Sequence, residues 1–472
     1  MKQRNVDVAV IGAGSAGMRA FRAASEWTDN VVLIEGGPYG TTCARVGCMP
    51  SKLLIAAAEA AHDVRKAHEF GIRVGSTDVD GVAVMNRVRQ ERDRFVGFVV
   101  DSVMEIPADQ RIAGMARFLD DHRLQVGLQI GDHTIVNAKR IIIATGSTPS
   151  YPKHFAELGD RLVVNDDIFD WQDLPDSVAV FGPGVIGLEL GQALSRLGVE
   201  VLMFGLGGLI GPLTDPEVMK EATETFAEEF YLDANANVHG MQPFEGGVAI
   251  DFAGRDGKSR SLVVDYVIAA TGRAPNVSGL GLENTSLPLD DRGVPLFDPQ
   301  TMRIGDSHVF IAGDVDNDRP LLHEAADEGQ IAGSNAGRYP DVQPGLRRSP
   351  LGIVFSDPQI AMAGNRFADL EEGSYVIGEV SFADQGRSRV MLKNQGLLRV
   401  YADARTGRFL GAEMFGPRAE HIGHLLAWAH QSGLTVGEML DMPFYHPVIE
   451  EGLRTALRDV HARLSSRVLR AA

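Results

Sequence analysis

The sequence near the amino terminus reads Val6-Asp7-Val8-Ala9-Val10-Ile11-Gly12-Ala13-Gly14-Ser15-Ala16-Gly17. An apolar run ends in a glycine-rich turn, an Ala- and Arg-rich segment of helical character follows, and a second apolar run closes at Glu35. Such glycines allow a tight turn and a close approach of the backbone to a pyrophosphate, while an acid about 20 residues further on can accept hydrogen bonds from a ribose. This order of strand, turn, helix and strand predicts a dinucleotide-binding unit.

The same pattern returns once further along the chain. An apolar run leads into Gly182-Pro183-Gly184-Val185-Ile186-Gly187, and the helix predicted after it contains Glu189. Each of the two units also closes with an apolar strand that runs into Ala-Thr-Gly, at residues 144–146 and 270–272. We interpret this as an internal duplication of architecture, with one dinucleotide for each unit.

The remaining segments complete a multidomain chain. A length of 472 residues predicts about three domains. Residues from about 57 to 101 have helical spacing and predict a pair of long helices. From about residue 344 onward, short alternating strands such as 352–355 and 396–401 precede helices, which predicts an α+β domain. The fold class is therefore α/β, with two Rossmann-like dinucleotide-binding domains and an α+β carboxyl-terminal domain.

Composition and charge argue against several classes of protein. The formal net charge is −18, and Lys and Arg form no cluster of the kind that binds phosphates. We therefore do not expect a nucleic acid as a partner, and any macromolecular partner is expected to be basic. No stretch approaches the roughly 20 apolar residues that span a bilayer. Residues 1–5 lead into the first predicted strand without a signal-type or transit-type segment. We expect a soluble cytoplasmic protein with no membrane contact.

The chain contains two cysteines, Cys43 and Cys48. Two cysteines in so long a chain cannot form a structural disulfide framework. On a regular helix, Cα atoms five residues apart are separated by about 8 to 9 Å, beyond the roughly 7 Å limit for a disulfide. A bridge would require a local distortion, which Gly47 permits and after which Pro50 can begin a regular turn. A helix amino terminus would also favour the thiolate, but by spacing alone two buried thiols remain the alternative.

With its surroundings, this segment is similar to a known active-site signature. Thr42-Cys43 through Gly47-Cys48-Met49-Pro50-Ser51-Lys52 resembles the signature of the pyridine nucleotide–disulfide oxidoreductases, specifically the dihydrolipoyl dehydrogenases. The resemblance runs essentially from end to end. It includes Gly313-Asp314-Val315, His323-Glu324-Ala325-Ala326, and His446-Pro447 with Glu451.

The resemblance implies the catalytic roles. Cys43 and Cys48 would form a redox-active disulfide, in which Cys43 exchanges with the substrate and Cys48 contacts the flavin. His446, supplied by the partner subunit of a homodimer, would be the base, with Glu451 orienting its ring. The implied reaction is the oxidation of dihydrolipoamide, a protein-bound lipoyl dithiol, by NAD⁺ through FAD, with a 2-oxo acid dehydrogenase complex as the candidate partner.

The resemblance also assigns domains and cofactor sites. Residues 1–148 and 273–343 are expected to bind FAD, residues 149–272 NAD(P), and residues 344–472 to form the dimerisation domain. Lys52, paired with Glu189, is expected near the flavin atom that exchanges hydride, where a cation stabilises the reduced ring. The residues expected to bind cofactor are Gly12, Gly14, Gly17, Glu35, Thr42, Lys52, Thr145, Gly146, Gly182, Gly184, Gly187, Glu189, Gly272, Arg273, Gly313 and Asp314.

Several positions depart from the family pattern or lie outside it. The usual Gly-Gly-Thr-Cys reads Gly40-Thr41-Thr42-Cys43, for which we expect a small backbone adjustment. In the second unit, the position equivalent to Glu35 is Gly205. Gly205 is not the acid expected for NAD, and no Arg of the kind expected for NADP flanks it. The lack of basic residues nearby favours NAD. Glu450 adds a carboxylate beside the base, which we expect to make it more basic. Three histidines of one predicted helix supply too few ligands for a metal site, namely His421, His424 and His430.

Other functions of the same fold are less compatible with this sequence. Mercuric reductase requires a further cysteine pair and large-type thioredoxin reductase a further redox centre, while soluble transhydrogenase lacks one of the two cysteines. Glutathione reductase usually carries Lys where Ser51 stands. A glutathione-reductase-like or other NAD(P)H-dependent disulfide reductase remains an alternative. From a different class, so does a catalytically impaired flavoprotein that acts as a binding or assembly partner.

Overall fold

The structure, a computed structural model, describes residues 2–76, 78–127 and 133–471. The chain forms two compact units. The first comprises Met1–Pro50, Arg87–Ser150 and Gly272–Arg347, and the second comprises Ser51–Asn86, Tyr151–Thr271 and Arg348–Ala472. The assignment of FAD, NAD(P) and dimerisation domains stays a prediction.

The described residues contain strands in every part of the chain. In chain order they are β1 (Lys2–Ile11), β2 (Val31–Glu35), β3 (Arg111–Ala113), β4 (Met115–Phe118), β5 (Arg123–Gly127), β6 (His133–Ile143), β7 (Ser147–Pro149), β8 (Leu162–Val163), β9 (Ser177–Phe181), β10 (Glu200–Phe204), β11 (Tyr231–Asp233), β12 (Asn237–Phe244), β13 (Gly247–Ala253), β14 (Ser259–Val264), β15 (Tyr266–Ala269), β16 (Arg273–Pro275), β17 (Phe297–Asp298), β18 (Arg303–Ile304), β19 (Val309–Ile311), β20 (Leu351–Val354), β21 (Gln359–Gly364), β22 (Tyr375–Ser381), β23 (Leu397–Asp403) and β24 (Phe409–Gly416).

The α-helices connect and cover these strands. They are α1 (Ser15–Ser25), α2 (Thr42–Val46), α3 (Cys48–Lys66), α4 (Gly81–Met104), α5 (Asn165–Ile168), α6 (Val185–Arg196), α7 (Pro216–Glu229), α8 (Leu322–Arg338), α9 (Gly386–Val390), α10 (Ala419–Gln431), α11 (Val436–Leu440) and α12 (Glu450–Ala471). The predicted pair of long helices between residues 57 and 101 is confirmed by α3 and α4.

The first unit is built on a parallel sheet with the strand order β3-β2-β1-β6-β19. The central strand β1 is buried on both faces from Val8 to Ile11, as expected for a strand with helices or loops on either side. On one face α1 packs closely against α8. A Cβ at Gly329 or Gly333 of α8 would lie 2.3 Å from a backbone oxygen of α1, so glycine is needed for this approach.

The second unit repeats this arrangement. Its parallel sheet has the strand order β11-β10-β9-β15-β8, with β9 in the central place that β1 takes in the first unit. In both units, antiparallel strands come just before the strand that pairs with the central one. They are β4–β5 before β6 in the first unit and β12–β13–β14 before β15 in the second. The predicted duplication is therefore visible in strand order and direction.

The carboxyl-terminal part of the second unit is an antiparallel sheet in the order β20-β21-β24-β23-β22. Helices α10 and α12 cover it around a core that includes Phe382, Phe409 and Leu457, each buried. This confirms the predicted α+β character of the region after residue 344. In the described part of the chain, no helix has the length and apolar character required to cross a membrane.

Candidate functional site

The glycines of the first fingerprint have separate tasks. A Cβ at Gly12 would lie 2.2 Å from the carbonyl oxygen of Ala144, and a Cβ at Gly17 would lie 1.9 Å from that of Gly12. Glycine at these two positions therefore allows the turn, helix α1 and the end of the strand before Thr145 to pack closely together. At Gly14 a Cβ would meet no described atom within 4 Å. This leaves an open approach to the amino terminus of α1, where a pyrophosphate fits.

The second fingerprint has the same geometry. A Cβ at Gly182 would lie 2.4 Å from the Ala270 carbonyl oxygen, and one at Gly187 would lie 1.9 Å from the Gly182 carbonyl oxygen. Gly184 has no described atom within 4 Å of a Cβ position. Both units thus present an open glycine at a helix amino terminus, as a bound dinucleotide requires.

Glu35 lies at the end of β2 and is held by the backbone. Its Oε2 accepts a hydrogen bond from the amide of Ala13 at 2.6 Å, and its Oε1 accepts one from the amide of Gly37 at 2.7 Å. The carboxylate is therefore fixed beside the fingerprint. Its expected hydrogen bond to a ribose stays a prediction.

A hydrogen-bonded network joins the Ala-Thr-Gly segment to Asp314. The hydroxyl of Thr145 donates to the carbonyl of Asn276 at 2.8 Å, and the amide of Asn276 donates to the carbonyl of Gly146 at 2.9 Å. Arg273 donates through Nε to the hydroxyl of Ser147 at 2.8 Å. That hydroxyl in turn donates to Asp314 Oδ2 at 2.8 Å.

Five of the predicted cofactor-binding residues can be placed through this part of the first unit: Thr145, Gly146, Gly272, Arg273 and Asp314. The carbonyl of Gly272 accepts from the amide of Ser150 at 2.9 Å, which ties it to the same two-stranded pairing of β7 and β16. Sequence reasoning missed Ser147 and Asn276, although Ser147 directly follows the Ala-Thr-Gly motif.

A buried acidic pair lies behind Gly313. The amide of Gly313 donates to Glu328 Oε2 at 2.8 Å, and Arg347 is ion-paired with Glu328 Oε1 at 2.9 Å. Burial first, and the carboxyl of Asp316 next, raise the pKa of Glu328 to about 8. Burial also raises the pKa of Asp316 to about 6. The pair therefore holds a proton near neutral pH, a feature with no clear signal in the sequence.

The two cysteines lie at the starts of two successive helices. Cys43 is the second residue of α2 and is half-buried, whereas Cys48 is the first residue of α3 and is exposed. Gly47 separates the helices with φ −129° and ψ −116°. A Cβ there would lie 3.1 Å from the carbonyl oxygen of Thr42 and 3.3 Å from Cys43 Cα. The predicted distortion at Gly47 is thus confirmed, while the disulfide itself stays a prediction.

Thr41 has a strained backbone conformation. Its φ of 57° and ψ of 151° are values that glycine adopts readily and a β-branched residue does not. A threonine thus stands in a glycine-type conformation, and the small backbone adjustment expected from the family pattern stays a prediction. The Thr41 hydroxyl accepts a hydrogen bond from the amide of Ala44 at 3.3 Å, which caps α2 and offsets part of the strain.

Lys52 and Glu189 form the predicted pair, with Lys52 Nζ 2.7 Å from Glu189 Oε2. Glu189 is buried, and its Oε1 accepts from the amide of Phe355 at 3.0 Å. The ammonium group also lies 4.6 Å from the centre of the Phe355 ring. Glu189 and the Phe355 ring therefore orient the Lys52 side chain. Of these two partners, sequence reasoning identified only Glu189.

His446 and Glu451 form a hydrogen-bonded dyad. His446 Nδ1 lies 3.0 Å from Glu451 Oε2, and the same oxygen accepts from the amide of Val448 at 3.3 Å. The hydrogen bond with His446 lowers the pKa of Glu451. The imidazole is 81% exposed, so its second nitrogen is open to an incoming group. The effect of Glu450 stays a hypothesis for the pH–rate profile of a Glu450→Gln variant to test.

The three histidines of α10 do not converge. His424 Nδ1 lies 2.6 Å from the carbonyl oxygen of Glu420, and His430 Nδ1 lies 2.8 Å from the hydroxyl of Ser349. His421 faces Glu420 at 3.5 Å. Over the described residues, no group of three His, Cys, Asp or Glu side chains is placed to hold a metal ion.

Comparison with known proteins places this geometry in a family. Residues 6–329 match the model of the pyridine nucleotide-disulphide oxidoreductases, and residues 351–457 match the dimerisation domain of the same family. The chain belongs to this family and is an enzyme of the flavin disulfide oxidoreductase type. Its members use FAD with NAD or NADP as the electron partner, and the dimerisation domain supports a homodimer.

Individual relatives extend over nearly the whole chain. The chain is 31% identical over 463 residues to a dihydrolipoyl dehydrogenase of Haloferax volcanii, covering 95% of each sequence. It is 30% identical to a mercuric reductase of Shigella flexneri, covering 95% of this chain and 80% of the relative. The crystal structure of LpdA from Mycobacterium tuberculosis superposes with a TM-score of 0.82 at 24% identity, over 96% of this chain and 99% of that one, and shows the shared fold.

Thr41→Gly is expected to be more stable than Thr41→Ala by about 1 to 3 kcal/mol, because glycine relieves the strain at φ 57° whereas alanine keeps it and loses the cap. The measurement is the urea midpoint of the FAD-loaded protein. The matched control is Thr42, the first residue of α2, where alanine should be the more stable of the two. If glycine and alanine variants had the same order of stability at both positions, the strain at Thr41 would be contradicted.

The contribution of Glu328 to the free energy of unfolding is expected to fall as pH rises from about 4.5 to about 8, because folded Glu328 binds its proton more tightly than unfolded Glu328. Glu328→Gln should flatten this dependence by up to about 1.4 kcal/mol per pH unit while an amide oxygen still accepts from Gly313. Urea titrations at several pH values check this. Gln330→Ala, on the same helix, removes no titratable group and serves as the control.

Proposed function

We propose that this enzyme oxidises dihydrolipoamide, carried as a protein-bound lipoyl dithiol, with NAD⁺ as the final acceptor. The observation that carries the proposal is the break at Gly47, which sets Cys43 and Cys48 at the first turns of two successive helices. The 2-oxo acid dehydrogenase complexes are the proposed partners. The cytoplasm is the proposed compartment, because a reducing environment keeps a cysteine pair exchangeable.

The cysteine chemistry is thiol–disulfide exchange. Starting from the oxidised pair, a substrate thiolate attacks Sγ of Cys43, the bond to Cys48 breaks, and Cys48 leaves as a thiolate. The second substrate thiolate then attacks the substrate sulfur bound to Cys43, which closes the lipoyl disulfide and releases Cys43. The substrate has lost two electrons and two protons. The cysteine pair has gained the two electrons, one proton passes to His446 and the other passes to solvent.

The His446–Glu451 dyad supplies the base for these steps. The exposed nitrogen of His446 takes the proton of a substrate thiol, and the Glu451 carboxylate stabilises the resulting imidazolium through Nδ1. In this proposal the dyad acts on the disulfide of the partner subunit. The exposure of the imidazole in the single chain supports that arrangement, because a base that serves a second subunit must face outward.

Bound FAD supplies the electron transfer from the cysteine pair to the nicotinamide. Lys52 is proposed to present its positive charge to the flavin. Glu189 and Phe355 hold the ammonium group in place, so the charge is positioned before the flavin is reduced. Positioned charge of this kind costs no reorganisation during the reaction.

Two alternatives have other expectations. A glutathione-reductase-like or other NAD(P)H-dependent disulfide reductase would run the same exchange in reverse on a different disulfide, and the similarity to a mercuric reductase shows that relatives differ in substrate. A catalytically impaired flavoprotein would bind FAD and a partner without turnover. The presence of Cys43, Cys48, His446 and Glu451 together favours an active enzyme.

A steady-state panel that crosses dihydrolipoamide, lipoamide and glutathione disulfide with NAD(H) and NADP(H) tests the substrate. The highest kcat/KM is expected for the lipoyl pair. Cys43→Ser and Cys48→Ser should each lower lipoyl turnover by at least about 10³-fold and leave the FAD content and the reduction of flavin by NADH intact. Full turnover by either variant would contradict the assignment, preferential reduction of glutathione disulfide would favour the reductase, and no turnover of any pair would favour the binding partner.

Mixing two inactive variants tests the shared site. His446→Gln and Cys43→Ser should each be inactive as homodimers, losing about 10² to 10⁴-fold in turnover. After subunit exchange, a heterodimer carries one site with both native groups, so a 1:1 mixture should recover about a quarter of native activity. Recovery that fails although mass spectrometry shows heterodimers would place base and disulfide in the same chain. The control mixture combines Cys43→Ser with Glu420→Gln in place of His446→Gln. Glu420 lies at a partly exposed position on α10.

A further inference from the structure

The two dinucleotide folds differ at the residue that follows the second strand. The amide of Gly12 donates to the carbonyl of Ile34, and the amide of Gly182 donates to the carbonyl of Phe204, each at 2.8 Å. The residues after these carbonyls, Glu35 and Gly205, are therefore equivalent in structure. One fold has a carboxylate there and the other has no side chain.

The residue that holds the acid differs as well. In the first fold the carboxylate of Glu35 accepts from the amide of Ala13 at 2.6 Å. The equivalent of Ala13 in the second fold is Pro183, which has no N–H to donate. The second fold thus lacks the carboxylate and one of the two amides that would position it. The other amide, equivalent to that of Gly37, belongs to Gly207 and donates to Asn235 Oδ1 at 3.1 Å.

The ring of Pro183 also fills the space beside residue 205. A Cβ at Gly205 would lie 2.7 Å from Pro183 Cγ and 2.8 Å from the carbonyl oxygen of Ala234. Heavy atoms do not approach so closely, so no side chain fits at residue 205 without movement of its neighbours. Proline at 183 and glycine at 205 therefore belong together sterically.

The loop that follows offers no substitute ligand of either charge. Residues 205–211 contain neither acidic nor basic side chains, and Leu206 and Leu209 are exposed. The amide of Gly211 donates to the carbonyl of Pro183 at 2.7 Å, which fixes this loop against the fingerprint. The carboxylate of Asp233 accepts from the amide of Asn235 within its own turn.

We infer that Pro183 and Gly205 leave the second fold without the ribose-binding acid, so that it binds dinucleotides with and without a 2′-phosphate with similar affinity. The use of NAD⁺ in the proposed reaction then does not depend on recognition of the adenosine ribose by this fold. This rests on the proposed assignment of the nicotinamide dinucleotide to that fold. An acid at this position favours NAD in two ways, by accepting from the ribose hydroxyl and by repelling a 2′-phosphate. A basic residue would favour NADP, and the loop has none.

The binding test uses the FAD-loaded enzyme and calorimetric titration with ADP-ribose and 2′-phospho-ADP-ribose. Neither probe is a redox substrate, so the result does not depend on which disulfide the enzyme uses or on turnover. The two Kd values should agree within about tenfold. A larger preference in either direction would overturn the inference, whereas agreement together with failure of lipoyl turnover would contradict only the proposed function.

The steric part is tested by a cycle of Gly205→Ala, Pro183→Ala and the double variant. Gly205→Ala should lower the Tm by about 2 to 4 °C, and the double variant should recover part of that loss because the ring contact is gone while the Ala234 contact remains. Gly240→Ala is the control, because a Cβ there meets no described atom within 4 Å. The coupling would be overturned if Gly205→Ala lowered the Tm equally in the native chain and in the Pro183→Ala variant. It would also be overturned if Gly205→Ala lowered the Tm no more than the control does.

Discussion

The close approach of backbone atoms at Gly47 is the constraint on which the proposed chemistry depends. With 3.1 Å from a Cβ position to the Thr42 carbonyl oxygen, a side chain at residue 47 would require its neighbours to move by a few tenths of an ångström. A continuous helix would separate the two cysteines by more than a disulfide allows. Breaking the helix at this glycine gives each cysteine a place in a first turn, where backbone amides face outward and a thiolate is favoured.

The strain at Thr41 belongs to the same segment. The residue has φ 57°, and its hydroxyl caps the short helix that contains Cys43. A strained conformation persists only where its surroundings determine it. Thr41 therefore shows that the path of the chain into Cys43 is imposed by the fold, because the local preference of threonine would give a different path.

The sequence allowed prediction of those features that depend on neighbours in the chain. The glycine fingerprints, the break at Gly47 and the strand periods are local, and the duplication that the two parallel sheets display followed from the repeated pattern. Contacts between distant segments were not accessible in this way. Ser147 with Asp314, Glu328 behind Gly313 and Phe355 beside Lys52 each join residues more than ten positions apart, and nothing in their local sequence marks the partner.

Under the proposed assignment of one dinucleotide to each fold, a single architecture serves two ligands with different requirements. Glu35 is held by a backbone amide that exists only because residue 13 is not proline. In the second fold Pro183 removes that amide and its ring takes the space of a side chain at 205, so an acid there would have no room and would lack the hydrogen bond that Ala13 gives Glu35. A tightly retained cofactor gains from a fixed ribose contact, because each hydrogen bond to a charged group adds to its affinity. A dinucleotide that must leave after every turnover gains less, since stronger binding of the product slows its release. The loss of the acid from one fold and its retention in the other is therefore consistent with one resident and one exchanging dinucleotide.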